Sequence, residues 1–282
     1  IVMSDKNLAC VYKFSNMDVF EEMERVKKVF NKIADSWVHL RVKPFPFIED
    51  FAREAKGLVL EVGCGSGRDL IPFKHCKLVG LDFSKEMIKQ AKKFLAKRKI
   101  KARFVIGNAL YLPFKNSCFD AILCVATLHH IPTRELRRKA LKEIRRVGKI
   151  FSKVLISVWK RWQKRFIIPL ILSIFRKKFE FGDLYVPWRY KGKVYKRFYH
   201  LYTRKEIEED LLETKFRNIE VFEDEKGNII VLPSESVYLS QGGIERLKAL
   251  GYEIDTTRNT SLTDYILVHN GKDCKVDRAL VP

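Results

Sequence analysis

Apolar residues recur at a helical interval over 17–36, where Val19, Phe20, Met23, Val26, Val29, Phe30 and Ile33 share one face of an amphipathic helix. Arg41-Val42-Lys43-Pro44-Phe45-Pro46 ends it, because residues before proline avoid the α region. A second helix then leads to a series of short apolar runs at Leu58–Val62, Leu78–Leu81, Arg103–Gly107, Phe119–Ala126 and Lys153–Val158. Runs of that length bounded by turn residues read as strands buried on both faces. Between them, Ser84 caps a helix reaching Lys97 and Thr133 caps one reaching Val147. Strand and helix alternate, which predicts an α/β sheet with helices on both sides.

The pattern changes after the fifth run. From Trp159 to Tyr202 the chain is irregular, basic and aromatic. Thr203-Arg204-Lys205-Glu206 then has the form of a capping box opening a helix to about Glu213. Asn218–Phe222 and Asn228–Leu232 flank a turn-forming Asp224-Glu225-Lys226-Gly227 and predict a hairpin. Residues 233–282 carry a strand-like Ser236–Leu239, a helix from Gly243 to Leu250 and a strand-like Tyr265–His269.

The first strand carries the most informative chemistry. Leu58-Val59-Leu60-Glu61-Val62-Gly63-Cys64-Gly65-Ser66-Gly67 is an apolar run ending in a glycine turn, with a helix expected after it. Such a unit brings backbone N–H groups close to a ligand. The spacing is G-x-G-x-G. A dinucleotide fold uses G-x-G-x-x-G, and no Lys-Ser/Thr follows as in a P-loop. The second strand ends in Asp82, about 20 residues after the first glycine, where a carboxylate can accept both hydroxyls of a ribose. Asn108-Ala109-Leu110 follows the third strand and Leu128-His129-His130 the fourth.

This E-V-G-C-G-S-G … D … G-N-A … L-P-F … F-D … L-H-H series resembles the class I S-adenosylmethionine-dependent methyltransferases over 58–158. The resemblance implies a doubly wound, Rossmann-like sheet of seven mostly parallel strands, the hairpin supplying the last two. It implies S-adenosyl-L-methionine as cofactor, held by Glu61, Gly63, Gly65, Gly67, Asp82, Phe83, Asn108, Ala109 and Val125. Asn108 stands where many such enzymes carry aspartate, and its amide can still bond adenine. Three units follow: an N-terminal helical, substrate-side segment 1–57, a methyltransferase domain 58–232 with a basic aromatic insertion 159–202, and an extension 233–282.

More specific elements narrow the substrate. Arg41-Val42-Lys43-Pro44-Phe45-Pro46, His129-His130, Ser157-Val158-Trp159 with Gln163, Val186-Pro187-Trp188 and Arg197-Phe198-Tyr199-His200-Leu201-Tyr202 together look like the tRNA wobble-uridine carboxymethyl methyltransferases. That group includes the methyltransferase domain of AlkB-type tRNA enzymes. It esterifies the carboxylate of 5-carboxymethyluridine in the anticodon. Here Phe45 replaces the usual tryptophan, and Gly148–Lys153 replaces a proline–glycine turn.

The chemistry agrees with the residue types. A carboxylate with a pKa near 4 is ionised at neutral pH, so methylating it needs no general base. It needs an oxygen held in line with the methyl group, out of water. Arg41 and Arg197 are the candidate carboxylate partners, and His130 and His200 the candidate hydrogen-bond donors. Each has a structural reading beside the functional one: an ion pair of the fold for Arg41, phosphate binding for Arg197, a strand-end cap for one of the two histidines. Tyr199 and Tyr202 read equally as core or as base-stacking residues.

Charge adds a partner. The chain has 55 Lys and Arg against 34 Asp and Glu, a net charge of +21. Fourteen of the cations lie between Lys160 and Lys205 with only two acids, interleaved with Trp162, Trp188, Tyr190, Tyr195 and Tyr199. Cations for phosphates beside aromatics for unstacked bases fit a tRNA anticodon loop. The alternative is a lysine-rich solvated surface. A small zinc-binding activator protein that adds a strand to the sheet is implied by the resemblance alone.

Six cysteines without C-x-x-C or zinc-ligand spacing point to a reduced, cytoplasmic protein. The longest apolar run, Phe166–Phe175, is too short to span a bilayer, so no stable membrane insertion is expected. Two other functions compete. A quinone- or sterol-type methyltransferase would form an apolar pocket from 166–175 and would not need the Arg41 and Arg197 elements. A non-catalytic RNA-binding relative would not need an intact cofactor loop.

Overall fold

A computed structural model describes residues 16–40, 42–174, 180–224, 226–234, 253–255 and 266–268. Arg41 and most of the 233–282 extension lie outside the described residues, including the expected strand at 236–239 and helix at 243–250.

The main sheet has seven strands. β1 (Leu58–Val62), β2 (Lys77–Asp82), β3 (Ala102–Ile106), β4 (Phe119–Val125) and β5 (Gly148–Trp159) are parallel. β8 (Arg217–Glu223) and β9 (Asn228–Ser234) complete it as a hairpin, with β9 antiparallel to β5. The order is β3-β2-β1-β4-β5-β9-β8, so the topology reverses between β1 and β4. In open α/β sheets ligands bind outside the carboxyl ends of the strands at that switch point.

Alternation along β1 sorts the core. Val59 packs on one face with α2 (Pro46–Glu54) and α3 (Lys85–Ala96), through Ile48, Ala52, Phe94 and Leu95. Leu60 and Val62 pack on the other with α4 (Arg134–Val147) and α6 (Arg204–Glu213), through Leu141, Ile144, Ile207 and Leu211. The expected caps are present: Ser84 accepts from the Met87 N–H at 3.1 Å, and Thr203 with Glu206 forms a capping box.

Three local expectations change. The segment after the glycine turn is a 3-10 helix, Arg68–Phe73, because Pro72 denies it a further α turn. β5 begins at Gly148, so the stretch in place of the proline–glycine turn is strand, with a bulge against β4. The region 159–202 is not irregular. It holds α5 (Ile167–Ile174) and a hairpin of β6 (Asp183–Tyr190) and β7 (Lys193–His200). Lys191 at φ 48° and Gly192 at φ 71° make its two-residue turn.

α1 (Asn16–Leu40) runs past the expected end at 36 and joins these parts. Val26, Phe30, Ile33 and Ala34 bury against Met87 of α3 and Phe198 of β7. A fully buried side chain of this size contributes roughly 1.5–3 kcal/mol. α1 is therefore a fixed wall of whatever lies between α3 and the hairpin. β10 (Glu253–Asp255) and β11 (Ile266–Val268) form a separate antiparallel pair.

Candidate active site

A pocket opens over the carboxyl ends of β1, β2 and β4. Its floor is the turn after β1. Gly63 takes φ +73°, and a Cβ there would sit 2.2 Å from Thr127 Oγ1, so both backbone and space call for glycine. Gly65, at φ +49°, faces Trp37 Nε1, 3.5 Å from where its Cβ would be. Of the expected cofactor residues, Glu61, Gly63, Gly65, Asp82, Phe83, Asn108, Ala109 and Val125 all line the pocket. Gly67 does not. Its own φ of +72° turns the chain, and a Cβ on it would meet Ala91 and Leu95 of α3 at 3.4 Å.

The pocket is acidic at its base. Glu61, Asp69 and Asp82 line it and are all buried. Asp82 accepts the Gly65 N–H at 2.9 Å and the Ser84 N–H at 2.8 Å. Burial raises its pKa to about 6, and the N–H groups of Ser84, Gly65 and Phe83 act against that rise. Glu61 is pushed well above the carboxylate range, first by burial and then by the charge of Asp69; Arg68 opposes and Asp82 adds to the shift. Glu61 Oε2 is buried with no hydrogen-bond partner among the described residues.

These features test the fit of the implied cofactor. S-adenosylmethionine carries a sulfonium, an ammonium and a ribose diol. A buried carboxylate oxygen without a partner, beside two further carboxylates, suits cations and hydroxyls and would reject a phosphate. The Asn108 Oδ1 accepts the Leu110 N–H at 3.0 Å, which leaves its Nδ2 donor for an adenine. The residues fit the cofactor.

The opposite wall is aromatic and comes from α1. Met23, Val26, Phe30 and Trp37 line the pocket with Thr127, His130 and Ile131. Helical periodicity puts Phe30 on the apolar face of this helix and ends the helix one residue short of Trp37. Phe30 packs edge-on to His130 at 4.8 Å, and Trp37 against Trp188 at 5.1 Å. Behind this wall lies Arg197 of β7. Its guanidinium is 4.8 Å from the Trp188 ring centroid, 5.6 Å from Trp37 and 5.2 Å from Tyr199. Nη1 donates to the Tyr199 hydroxyl at 2.7 Å, while buried Nε has no partner among the described residues. No carboxylate pairs with Arg197 among the described residues, and burial lowers its pKa.

The other predicted substrate residues separate. The His130 ring lies 4.4 Å from that of Tyr199, with Nδ1 donating to the Phe198 carbonyl at 2.8 Å. His129 is fully buried and stacked on Tyr199 at 4.9 Å, so of the two histidines it is the structural one. His200 does not line the pocket. It is fully buried, with Nδ1 2.6 Å from Asp183 and Nε2 2.7 Å from Glu206. Both ring nitrogens are therefore committed to the fold, which corrects its assignment as a substrate donor. Tyr199 and Tyr202 are core residues, 1% and 0% exposed. No residue of α5 lines the pocket.

The strand order, the switch-point pocket and the acidic base define a class I methyltransferase. A family model described as a methyltransferase domain matches residues 59–149. A protein of Encephalitozoon cuniculi named as a methyltransferase is 31% identical over 64% of this chain and 80% of its own. The chain belongs to the S-adenosylmethionine-dependent methyltransferases.

Named relatives are more particular. The Xenopus tropicalis tRNA (carboxymethyluridine(34)-5-O)-methyltransferase alkbh8 is 30% identical over 66% of this chain, and the chain spans 37% of that protein's length. The Schizosaccharomyces pombe tRNA (carboxymethyluridine(34)-5-O)-methyltransferase is 28% identical over 70% of this chain and 90% of its own. A Methanosarcina mazei SAM-dependent methyltransferase structure shares the fold at TM-score 0.57 and 22% identity, over 68% of this chain and 98% of its own.

Proposed function

We propose that this protein methyl-esterifies the carboxylate of 5-carboxymethyluridine at the tRNA wobble position. The observation that carries the reading is Arg197, a buried cation without an anionic partner among the described residues, set behind the pocket in a cage of Trp37, Trp188 and Tyr199. Isolating a charge in this way is costly unless an anion completes it. A substrate carboxylate is such an anion, and a guanidinium can grip it at two points. The relatives named for this reaction support the same substrate.

Bound S-adenosylmethionine supplies an electrophilic methyl group. The chain's work is then positional. Arg197 orients the carboxylate, the aromatic cage excludes water, and no side chain has to remove a proton. Lowering of the Arg197 pKa by burial marks a site where an arriving anion gains more than it would in water. Arg41 is a second candidate partner for the carboxylate and His130 a wall residue against the uracil.

We further infer a tRNA anticodon loop as partner and the cytoplasm as its location. Cys64, Cys76, Cys118 and Cys124 are free thiols, and no helix among the described residues is long and apolar enough to cross a membrane. A zinc-binding activator remains part of the proposal. β3 is an edge strand with Arg103 and Ile106 exposed, a place where a further strand can pair.

The test is nucleoside mass spectrometry. Purified protein and labelled cofactor are incubated with tRNA bearing 5-carboxymethyluridine, with and without the activator. The methyl ester is expected, and its loss in Arg197→Ala with cofactor binding intact. Cofactor binding without ester under either condition would overturn the substrate assignment.

A further inference from the structure

A second groove lies beside the active site on the same edge of the sheet. It is lined by Phe45, Trp159, Gln163, Lys164, Arg165, Lys226 and Asn228. Trp159 ends β5 and pairs with Asn228, which opens β9, so antiparallel pairing brings Asp224 and residues 226–228 to the carboxyl edge where the cofactor pocket opens. β9 is two strands from β4, roughly 10 Å at the usual inter-strand spacing. The two cavities meet at one contact: Arg68, which lines the cofactor pocket, lies 4.4 Å over the Phe45 ring.

Three cations converge on this groove. Lys164, Arg165 and Lys226 are all exposed, and none pairs with a carboxylate among the described residues. Their backbone is held in place. Asp224 Oδ1 accepts the N–H groups of Lys226 and Asn228 at 3.0 and 2.8 Å. Gly227 O in turn accepts from the Gln163 amide at 2.7 Å and from the Lys160 N–H at 3.0 Å. Arg165 Nε donates to Gln163 Oε1 at 2.9 Å, and its guanidinium lies 4.7 Å from the Trp159 ring. The two walls of the groove are thus tied to each other through Gln163.

The aromatic faces decide what the groove recognises. Trp159 stacks on Tyr199 at 4.4 Å and carries Arg165 and Phe166 as further neighbours. Phe45 stacks on Phe47 at 5.2 Å and carries Arg68. Both rings are already covered and offer no open platform for a base. What remains for a ligand is exposed positive charge, which suits phosphate oxygens.

We propose that Lys164, Arg165 and Lys226 form a phosphodiester-binding groove that holds the substrate RNA's backbone beside the target nucleotide. This rests on the RNA-substrate reading above. It adds where the backbone runs, from the aromatic cage across the carboxyl end of β5 to Lys226. Contacts to phosphate position the strand and carry no sequence information of their own, so the groove acts on anticodon loops of different sequence alike.

The test is fluorescence anisotropy with a labelled anticodon stem-loop RNA carrying plain uridine, titrated across salt. Lys164→Ala/Lys226→Ala is compared with wild type and with Lys97→Ala/Lys101→Ala. The latter pair removes the same charge near the amino end of β3, at the opposite edge of the sheet. Each phosphate contact contributes a slope of about 0.7–0.9 in log K against log salt. The groove variant is expected to bind roughly tenfold or more weakly at 0.15 M salt and to flatten the slope by about 1.5. The control is expected within about twofold, and both should bind cofactor as wild type does.

Equal affinity and slope in groove and control variants would overturn the proposal. So would unchanged RNA binding with lost sedimentation on phosphatidylglycerol vesicles, which would make the groove a lipid-headgroup site. The two readings fail separately. Ester formation with no effect of the groove variant removes the groove and leaves the enzyme; groove-dependent RNA binding without ester does the reverse.

Discussion

Arg197 donates Nη1 to the Tyr199 hydroxyl at 2.7 Å, two residues along one strand and both buried, with no carboxylate among the described residues closing the arrangement. A phenol orients a guanidinium without neutralising it, so the positive charge stays available. Arg197→Met, of similar length and apolar, is expected to keep or raise the melting temperature, because it removes an uncompensated buried charge. The same change should lower kcat/KM for the tRNA by at least about 100-fold, in line with losing one partner of a buried ion pair. Cofactor affinity should stay within about twofold. A melting temperature several degrees lower with activity kept would mean that Arg197 serves the fold.

Glu61 illustrates the same opposition inside the cofactor pocket. Burial, and after it the charge of the neighbouring Asp69, hold its carboxyl well above the usual range and so favour its neutral form in the free protein. A bound cation favours the ionised form, and binding should therefore release a proton. Calorimetry in buffers of different ionisation enthalpy is expected to show this release, and to show less of it in Glu61→Gln. That variant should bind cofactor about tenfold or more weakly while its own stability holds. Buffer-independent heats in the wild type would contradict the assignment.

How far this site was legible in the sequence follows from what each residue depends on. Glu61, Gly63, Gly65 and Asp82 sit at strand ends, where order along the chain fixes order in space, and all four line the pocket. Trp37 and Phe30 reach the pocket from α1, whose docking on α3 and β7 is a tertiary fact that helical periodicity does not contain. Gly67 shares the motif but faces Ala91 and Leu95 of α3, a packing contact that the spacing of the glycines does not contain. The β6–β7 hairpin was hidden by Pro187, which argues against a strand. It is tolerated because a two-stranded ribbon leaves each strand an open edge. His200 looked like a ligand group because its neighbours in sequence are Arg197 and Tyr199. Its actual partners, Asp183 and Glu206, become visible only once the hairpin and α6 are folded.

The glycine turn separates stability from binding at adjacent positions. In Gly63→Ala the new Cβ would lie 2.2 Å from Thr127 Oγ1 and 2.3 Å from Thr127 Cγ2, at a positive φ. Strain and overlap together should cost about 3 kcal/mol or more. In Gly65→Ala the Cβ meets nothing nearer than 3.5 Å and bears only the left-handed backbone cost, about 1–2 kcal/mol. Its methyl group lies on the pocket lining, however, so cofactor affinity should fall more than stability does. Urea unfolding and cofactor titration on both variants measure the two effects. Equal stability losses would mean that the turn relaxes at Thr127.

The buried network around His200 predicts how the fold responds to acid. Glu206 is desolvated, which alone would raise its pKa. The hydrogen bond and charge of His200, with Arg161 and Arg137, outweigh that and hold it at about 2 against an ordinary 4.5. Its carboxylate accepts from Arg161 Nη2 at 2.6 Å, and Arg137, fully buried, pairs with Glu180 at 2.5 Å. A carboxyl whose folded pKa is depressed stabilises the fold above its unfolded value and loses that contribution as pH falls. The contribution of Glu206 is therefore complete above pH ~4.5 and gone by pH ~2. A depression of about 2.5 units corresponds to about 3 kcal/mol at neutral pH. Glu206→Gln, measured by urea unfolding, should be less stable than wild type by about that amount at pH 7. The gap should close progressively below pH 4.5. A gap that stays constant down to pH 3 would place the effect in packing, with the charge of Glu206 playing no part.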